Sequence, residues 1–539
     1  MKLKCWRETG ASILFFAITL LIVLIVCIRK DVWFCDEVYT YRSANAGADF
    51  RAVFKNDEWI SGKDVVAAFS AKEYSLKFNE IAETLFKDHV PLYFWAFRIA
   101  SLIGFGSISK WIGLGLNIAI LIPLFVGMVW LIRELSGTSY VVSGLTTSVC
   151  LVHPLFLSEI TTIRMYLLFS LFQVLFIIAV IKNENDVKSF LRIGLVAVLG
   201  LLTHYHFWIW IGFFSVLYLL SIIMREQRFK IKKCILFIIT MICSLGITTI
   251  IFPFWIRNVL LDTSTKGYSS FTSLSMNWGF SKDIIGAVSA ITSLLAHSLR
   301  ISVVVLFVVT AAAYLIITKK RNKNIVIITG LSCLLLSIVI QHSQPTVEKR
   351  YLWPSSLIFL IIFFVSLMGV LEYIISTRRI ENKALKKALS VIILFCFFIL
   401  NLNNSFKNDF SRLSQYVRYR SVEEHDNILA EDNNPWIVFY NNENWRLYCS
   451  MFDFSIPGQI KRVRDNDSVK PDSVLRNSDD VIIFVDNKTE SIVRYLDYIE
   501  GCAGKQVKDY DRISHGYALI VYKIHFTNDD SISLEIGHE

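Results

Sequence analysis

Charge is scarce in this chain: Asp, Glu, Lys and Arg make up only 19% of 539 residues, against 54% hydrophobic and 14% aromatic residues. A soluble protein of this length carries far more charge, so the composition defines a polytopic membrane protein. It speaks against nucleic acid as a partner as well. The formal charge of +10 does not gather into a patch; Lys and Arg fall mostly in short loops between apolar runs, where they report topology. The ten cysteines show no CxxC and no metal-ligand spacing. Cys27, Cys150, Cys234, Cys243, Cys333 and Cys396 lie inside apolar runs and read as small core residues, while Cys449 and Cys502 leave a disulfide open. No small-residue cleavage site follows the first apolar run, Ala11 to Ile28, so it reads as an uncleaved span with Lys2, Lys4 and Arg7 on the cytoplasmic side.

Further runs follow: Trp111 to Ile132, Tyr140 to Leu157, Ile163 to Ile181, Phe190 to Thr203, Phe207 to Met224, Cys234 to Trp255, Ile301 to Thr318, Ile325 to Ile340, Pro354 to Ile375 and Leu389 to Leu400. With the first helix they make about eleven transmembrane helices, an all-α polytopic architecture. Segments on the N-terminal side of the membrane hold twenty basic residues, while the short loops opposite hold almost none beyond Lys349 and Arg350. This asymmetry puts the C-terminus outside, in an integral membrane protein read as residing in a bacterial plasma membrane.

Residues 29–110 form an outer loop with juxtamembrane helices. Val65 to Phe86 has amphipathic helical spacing, and Pro91 to Gly104, short and containing Arg98, reads as an interfacial helix. A second long outer segment, Ile256 to Arg300, ends in an amphipathic stretch and has the length of a lid. Residues 1–401 are thus the transmembrane domain. Residues 402–539 turn polar, with β-like runs at Trp436 to Tyr440, Val481 to Val485 and Tyr517 to Tyr522 and helix-like stretches between, and read as an extracytoplasmic C-terminal α/β domain.

With topology set by charge, unusual polar residues can be sorted by side. Asp36 and Glu37 follow the first span within Trp33 to Tyr41; His89 and Tyr93 flank Pro91; His153, Glu159, Arg164 and Tyr166 bracket an outer turn. His204 and His206 occupy a tight turn between spans, and Lys349, Arg350 and Tyr351 precede another. All fall on one face, which points to a single site there. Plainer roles stand beside that one: a solvated helix end for Asp36 and Glu37, interfacial anchoring for His204 and His206, and lipid-headgroup contact for Lys349 and Arg350.

The order of these motifs resembles a known family. Asp36-Glu37 with Tyr39, His89 to Tyr93, Arg164 with Tyr166, the His204-Tyr205 turn and Arg350-Tyr351 with Pro354 are similar to the superfamily C (GT-C) multi-spanning glycosyltransferases. The nearest branch is bacterial enzymes like protein O-mannosyltransferases and the aminoarabinose transferase of lipid A. The resemblance covers roughly residues 1 to 375, and Thr161, Thr162 and Ile163 stand where the family often has an acidic residue before Arg-x-Tyr.

The resemblance implies a membrane glycosyltransferase that moves a hexose or pentose from a polyprenyl-phosphate-linked sugar to a glycan, lipid or protein acceptor at the outer face. Asp36 would be the general base by its match to the motif. Glu37 and Glu159 would position hydroxyls, or hold a divalent cation should one be used. Arg164, Lys349 and Arg350 would bind the donor phosphate, and His89, Tyr93, Tyr166, His204, His206 and Tyr351 would line the pocket. One base and an anionic leaving group imply inversion by single displacement. The alternative is a transporter or flippase of a polyprenyl-linked lipid, against which stands the lack of paired inverted segments and of Gly/Pro-broken spans in matching positions.

Overall fold

A computed structural model describes residues 2–30, 35–45, 57–64, 70–71, 75–85, 89–106, 108–225, 230–256, 280–296, 301–317, 323–343, 349–377, 383–406, 434–440, 458–464, 467–486, 492–515 and 519–527. The N-terminal part contains α1 (Lys2–Ile28), α2 (Cys35–Ala44), α3 (Phe78–Leu85), α4 (Leu92–Ile103), α5 (Lys110–Ser136), α6 (Tyr140–Leu151), α7 (Pro154–Thr161) and α8 (Tyr166–Ile181). The chain continues through α9 (Val187–Leu201), α10 (Tyr205–Arg225), α11 (Lys230–Ile251), α12 (Phe280–Ala296), α13 (Ile301–Ile317), α14 (Lys323–Ser343), α15 (Trp353–Thr377) and α16 (Lys383–Phe406). Two short helices, α17 (Ser473–Arg476) and α18 (Val493–Ala503), accompany strands β1 (Trp59–Ser61), β2 (Trp436–Tyr440), β3 (Gln459–Arg464), β4 (Asp480–Asp486), β5 (Val507–His515) and β6 (Leu519–Phe526).

Contacts divide the chain into two compact units: residues 1–30, 75–104 and 109–419, and residues 31–74, 105–108 and 420–539. The first is helical. Among the described residues seven of its helices are long and apolar enough to cross a membrane, or eight with the α6–α7 pair taken as one. Leu21, Val126, Ile223 and Ile250 stand exposed on these helices, a surface suited to lipid and not to water, as expected of an integral membrane protein.

The run Tyr140 to Leu157, read from sequence as one span, is instead two helices meeting at 72°. His153 is the reason: its Nδ1 accepts from the Leu155 amide, 3.3 Å, while Pro154 opens α7 at a position where no amide is needed. A break in an apolar setting must satisfy the carbonyls it frees. Asn401 Nδ2 donates to Val149 O and Ser405 Oγ to Val152 O, both at 2.9 Å. Those two bonds also explain why α16 runs on to Phe406, past the boundary expected after residue 401. On the other side α1 packs against α6 through small polar residues, with Ser12 Oγ on Tyr140 O (2.8 Å) and Thr19 Oγ1 on Ser148 Oγ (2.9 Å).

Of the amphipathic stretch Val65 to Phe86, the described helix is α3 alone; residues 65–69 lie outside the described residues. Arg98 in α4 is fully buried, its Nε donating to Ser75 O at 2.9 Å. Thr263 to Ser275 also lies outside the described residues, and the amphipathic end of that segment is α12. Asp283 of α12 pairs with His342 of α14 at 2.8 Å.

The second unit is a six-stranded sheet in the order β1-β3-β2-β4-β6-β5. Strands β3, β2 and β4 run parallel, and β1, β6 and β5 join antiparallel. Its core gathers Ile437, Phe439, Val463, Val481, Ile483, Ile499 and Ile524. Strand β1 comes from the segment after α1, so this unit is discontinuous in sequence and takes residues that the sequence reading assigns to the transmembrane domain. Lys461 of β3, buried, pairs with Asp57 and Asp472, each at 2.7 Å, and Trp59 Nε1 donates to Asp472 Oδ2 at 2.9 Å. Cys502 is a free, buried thiol, so it forms no disulfide; Cys449 lies outside the described residues.

Candidate active site

Three turns of the helical unit carry most of the residues singled out from sequence. In the first, β-branched Thr161, Thr162 and Ile163 resist helix, and the backbone turns extended at Thr162. The Arg164 amide donates back to Thr162 O at 2.8 Å, making a tight corner that presents the guanidinium. Across the corner Ser170 Oγ of α8 donates to Glu159 Oε1 of α7, 2.6 Å. Glu159 is fully buried, and its Oε2 meets no hydrogen-bond partner among the described residues.

In the second turn α9 ends at Leu201 and α10 begins at Tyr205. His204 Nδ1 accepts from the His206 amide at 3.0 Å, capping α10. That bond fixes the neutral tautomer of His204 with its proton on Nε2. The turn is tight because Gly200 admits the Phe207 ring, where a Cβ would come within 2.2 Å of it. The third is the 3-10 turn Lys349–Leu352 that leads into α15, with Pro354 accommodated in the first helical turn.

These turns meet. Arg164 Nη2 lies 3.0 Å from His89 Nε2; a guanidinium can only donate, so His89 accepts there and is neutral, with its proton on Nδ1. His204 is within electrostatic reach of His206, His89, Arg164 and Arg350. Ring centroids link Tyr166 to His204 (5.8 Å), to Tyr351 (6.1 Å) and to Trp353 (5.7 Å), and His206 to Tyr351 (5.3 Å). Arg350, buried, stands 5.4 Å from the Tyr351 ring centroid. The result is a cluster of two guanidiniums, three imidazoles and aromatic faces: cations to hold a phosphate, rings to face a sugar, and donors and acceptors for its hydroxyls.

Other residues named from the sequence have surroundings of their own. Tyr93 is fully buried and its hydroxyl donates to Asn117 Oδ1 at 3.0 Å, so that group is engaged within the bundle and does not offer itself to a sugar. Lys349 lies in the 3-10 turn, and its side chain falls outside the described residues. Asp36 and Glu37 open α2, where acidic groups suit a helix N-terminus, Asp36 half-buried and Glu37 fully buried; both belong to the unit built on the sheet. Among the described residues no three His, Cys, Asp or Glu side chains gather as a metal ion requires. Sequence reasoning missed Asn117, Phe169 and Trp353. Phe169 stacks on His204 at 5.8 Å, and the signal for Asn117 was an amide inside an apolar run, where polar side chains mark contacts between helices.

The fold, an apolar helical bundle with a small sheet-bearing C-terminal part, is one that solved structures share. The chain is similar to ArnT from Cupriavidus metallidurans in the apo state, with a TM-score of 0.52 at 10% identity over 96% of this chain and 98% of that one. It is likewise similar to that protein bound to undecaprenyl phosphate, with a TM-score of 0.50 at 11% identity over the same shares. A further similar structure is the archaeal oligosaccharyltransferase AglB from Archaeoglobus fulgidus in complex with an inhibitory peptide and a dolichol-phosphate (TM-score 0.48, 9% identity, 98% of this chain and 76% of that one). No family model and no curated protein matches the sequence.

Proposed function

We propose that this protein is a membrane glycosyltransferase that takes a sugar from a polyprenyl-phosphate donor and passes it to a hydroxyl acceptor at the extracytoplasmic face. The observation that carries the reading is the meeting of Arg164, Arg350, His89, His204, His206, Tyr166 and Tyr351 in one cluster of a bundle with the GT-C fold. A structural neighbour of that fold holds undecaprenyl phosphate, and Arg164 and Arg350 supply the matching cations here.

The acceptor oxygen attacks the anomeric carbon while its proton passes to the Asp36 carboxylate. The bond from that carbon to the phosphate oxygen breaks on the opposite side, the electron pair leaves with polyprenyl phosphate, and configuration inverts. A phosphate leaves as an anion, so guanidiniums serve where a general acid would otherwise be needed. Lys349 joins the arginines, and Glu37 and Glu159 orient hydroxyls.

The test is transfer of label from a panel of prenyl-phosphate sugars by the purified protein in lipid nanodiscs. Asp36→Asn should fold normally and lose about 10²–10⁴-fold in rate, the usual worth of a general base, while Arg350→Ala should chiefly weaken donor binding. Transfer at the parental rate by Asp36→Asn would remove it as the base. Label that crosses the bilayer without joining an acceptor would identify a flippase instead.

A further inference from the structure

Asn117 lies inside a helix otherwise fit to span a membrane, with no exposed surface at all. An amide there is costly unless its donors and acceptor are matched. Oδ1 accepts from Tyr93 Oη at 3.0 Å, and Nδ2 donates to Ile160 O and to Thr162 O, each at 2.8 Å. These partners are not arbitrary. Ile160 and Thr162 are at the end of α7, where carbonyls lose their helical donors, and Thr162 O is the same atom that receives the Arg164 amide. Tyr93 follows His89 by four residues, and the His89 ring stacks on Phe94 at 5.6 Å.

Asn117 therefore fastens both sides of the 3.0 Å contact between His89 and Arg164. We infer that Asn117 is a positioning residue: it holds the corner bearing Arg164 against the segment bearing His89, and so sets the guanidinium that receives the donor phosphate. The last step rests on the function proposed above; the holding of the pair does not. Three bonds from one amide also define what can replace it. Asp keeps the shape but turns a donor toward neither carbonyl, and Ala removes all three bonds. Tyr93→Phe removes one bond and leaves the two to the corner.

Two readouts on the full-length protein test this. The first needs no ligand: the His89 signal in ¹⁵N-histidine NMR should move in Asn117→Ala in the direction it moves in Arg164→Ala, and move less in Tyr93→Phe. The second is binding of undecaprenyl phosphate in a double-mutant cycle. Asn117→Ala should weaken binding about tenfold, add almost nothing on an Arg164→Ala background, and multiply with Arg350→Ala. A generally damaged fold would multiply with both. An unmoved His89 signal, or effects that multiply on Arg164→Ala, would overturn the inference. Should Asn117→Ala not fold, Tyr93→Phe decides by the same two criteria. A His89 signal that moves as expected in a parent protein that binds no undecaprenyl phosphate would uphold the hold on the pair and refute the donor proposed above.

Discussion

Lys461 offers the sharpest test of how the segment after α1 is held. It sits opposite Trp59 in the β1–β3 register, with its ammonium 2.7 Å from both Asp57 and Asp472 and 5.8 Å from the Trp59 ring centroid. Lys461→Met preserves the length of the stem and removes the charge that the two carboxylates share, while Asp57 keeps its exposed partner Lys470 at 3.2 Å. Removing one partner of a buried pair costs about 3–5 kcal/mol. The Asp57 side chain is 28% exposed, so water recovers part of that, and a loss of roughly 2–4 kcal/mol remains. If β1 detaches locally, hydrogen exchange at residues 57–64 should quicken by roughly 30- to 700-fold, since 1.4 kcal/mol is a factor of ten. Mass spectrometry of the intact protein in detergent reads this directly, with peptides from β6 as the internal reference. Exchange at 57–64 within about threefold of the parent would mean that strand pairing alone holds β1, and the reasoning from charge would fail.

Two further outcomes follow from particular contacts. Burial works against charge on His525 and Asp480, but their 2.8 Å hydrogen bond outweighs it, holding His525 above the usual imidazole range and Asp480 below the usual carboxylate range. His525 therefore adds stability that is complete below about pH 6.5 and fades as pH rises through its raised pKa, whereas Asp480 adds stability that is complete above about pH 4 and fades on acidification. Protection of β4 and β6 against exchange, corrected for intrinsic rate, should decline above pH 6.5 in the parent and less so in His525→Gln; identical alkaline limbs would exclude the pair as the cause. Gly200→Ala drives a methyl into the Phe207 ring behind His204 and should cost about 1–3 kcal/mol of thermal stability. Phe207→Leu should restore most of it, and a neutral Gly200→Ala would show that the turn has room the contact distances deny.

What could be read from the sequence depended on how each feature is encoded. Apolar length is a local property, so α5, α8, α10 and α15 emerged close to their observed bounds. The bend at His153 did not, because hydropathy averages over direction, although His153-Pro154 spelled it out in capping chemistry. Strands β2, β4 and β6 were found by their buried apolar runs. Strands β3 and β5 were missed because charges alternate through them, Lys461, Arg462 and Arg464 in one and Lys508, Asp509, Asp511 and Arg512 in the other. Strand β1 is three residues long and is defined only by a partner distant in sequence. For the site, charge asymmetry sorted Arg164, His204 and Arg350 to a common face before any contact was known. The Asn117 strut depends on three partners from two other segments, and no local pattern announces such an arrangement.

Trp59 and Asp472 are 413 positions apart, and this distance sets a timetable for biogenesis. At about 5–20 residues per second, the ribosome reaches the far half of the sheet roughly 20–80 s after the near half has emerged. Throughout that interval the segment bearing Asp36 and Glu37 has no sheet to join. Assembly of this region must then be among the last events in maturation, and chains truncated before residue 458 would leave an orphan strand for quality control to detect.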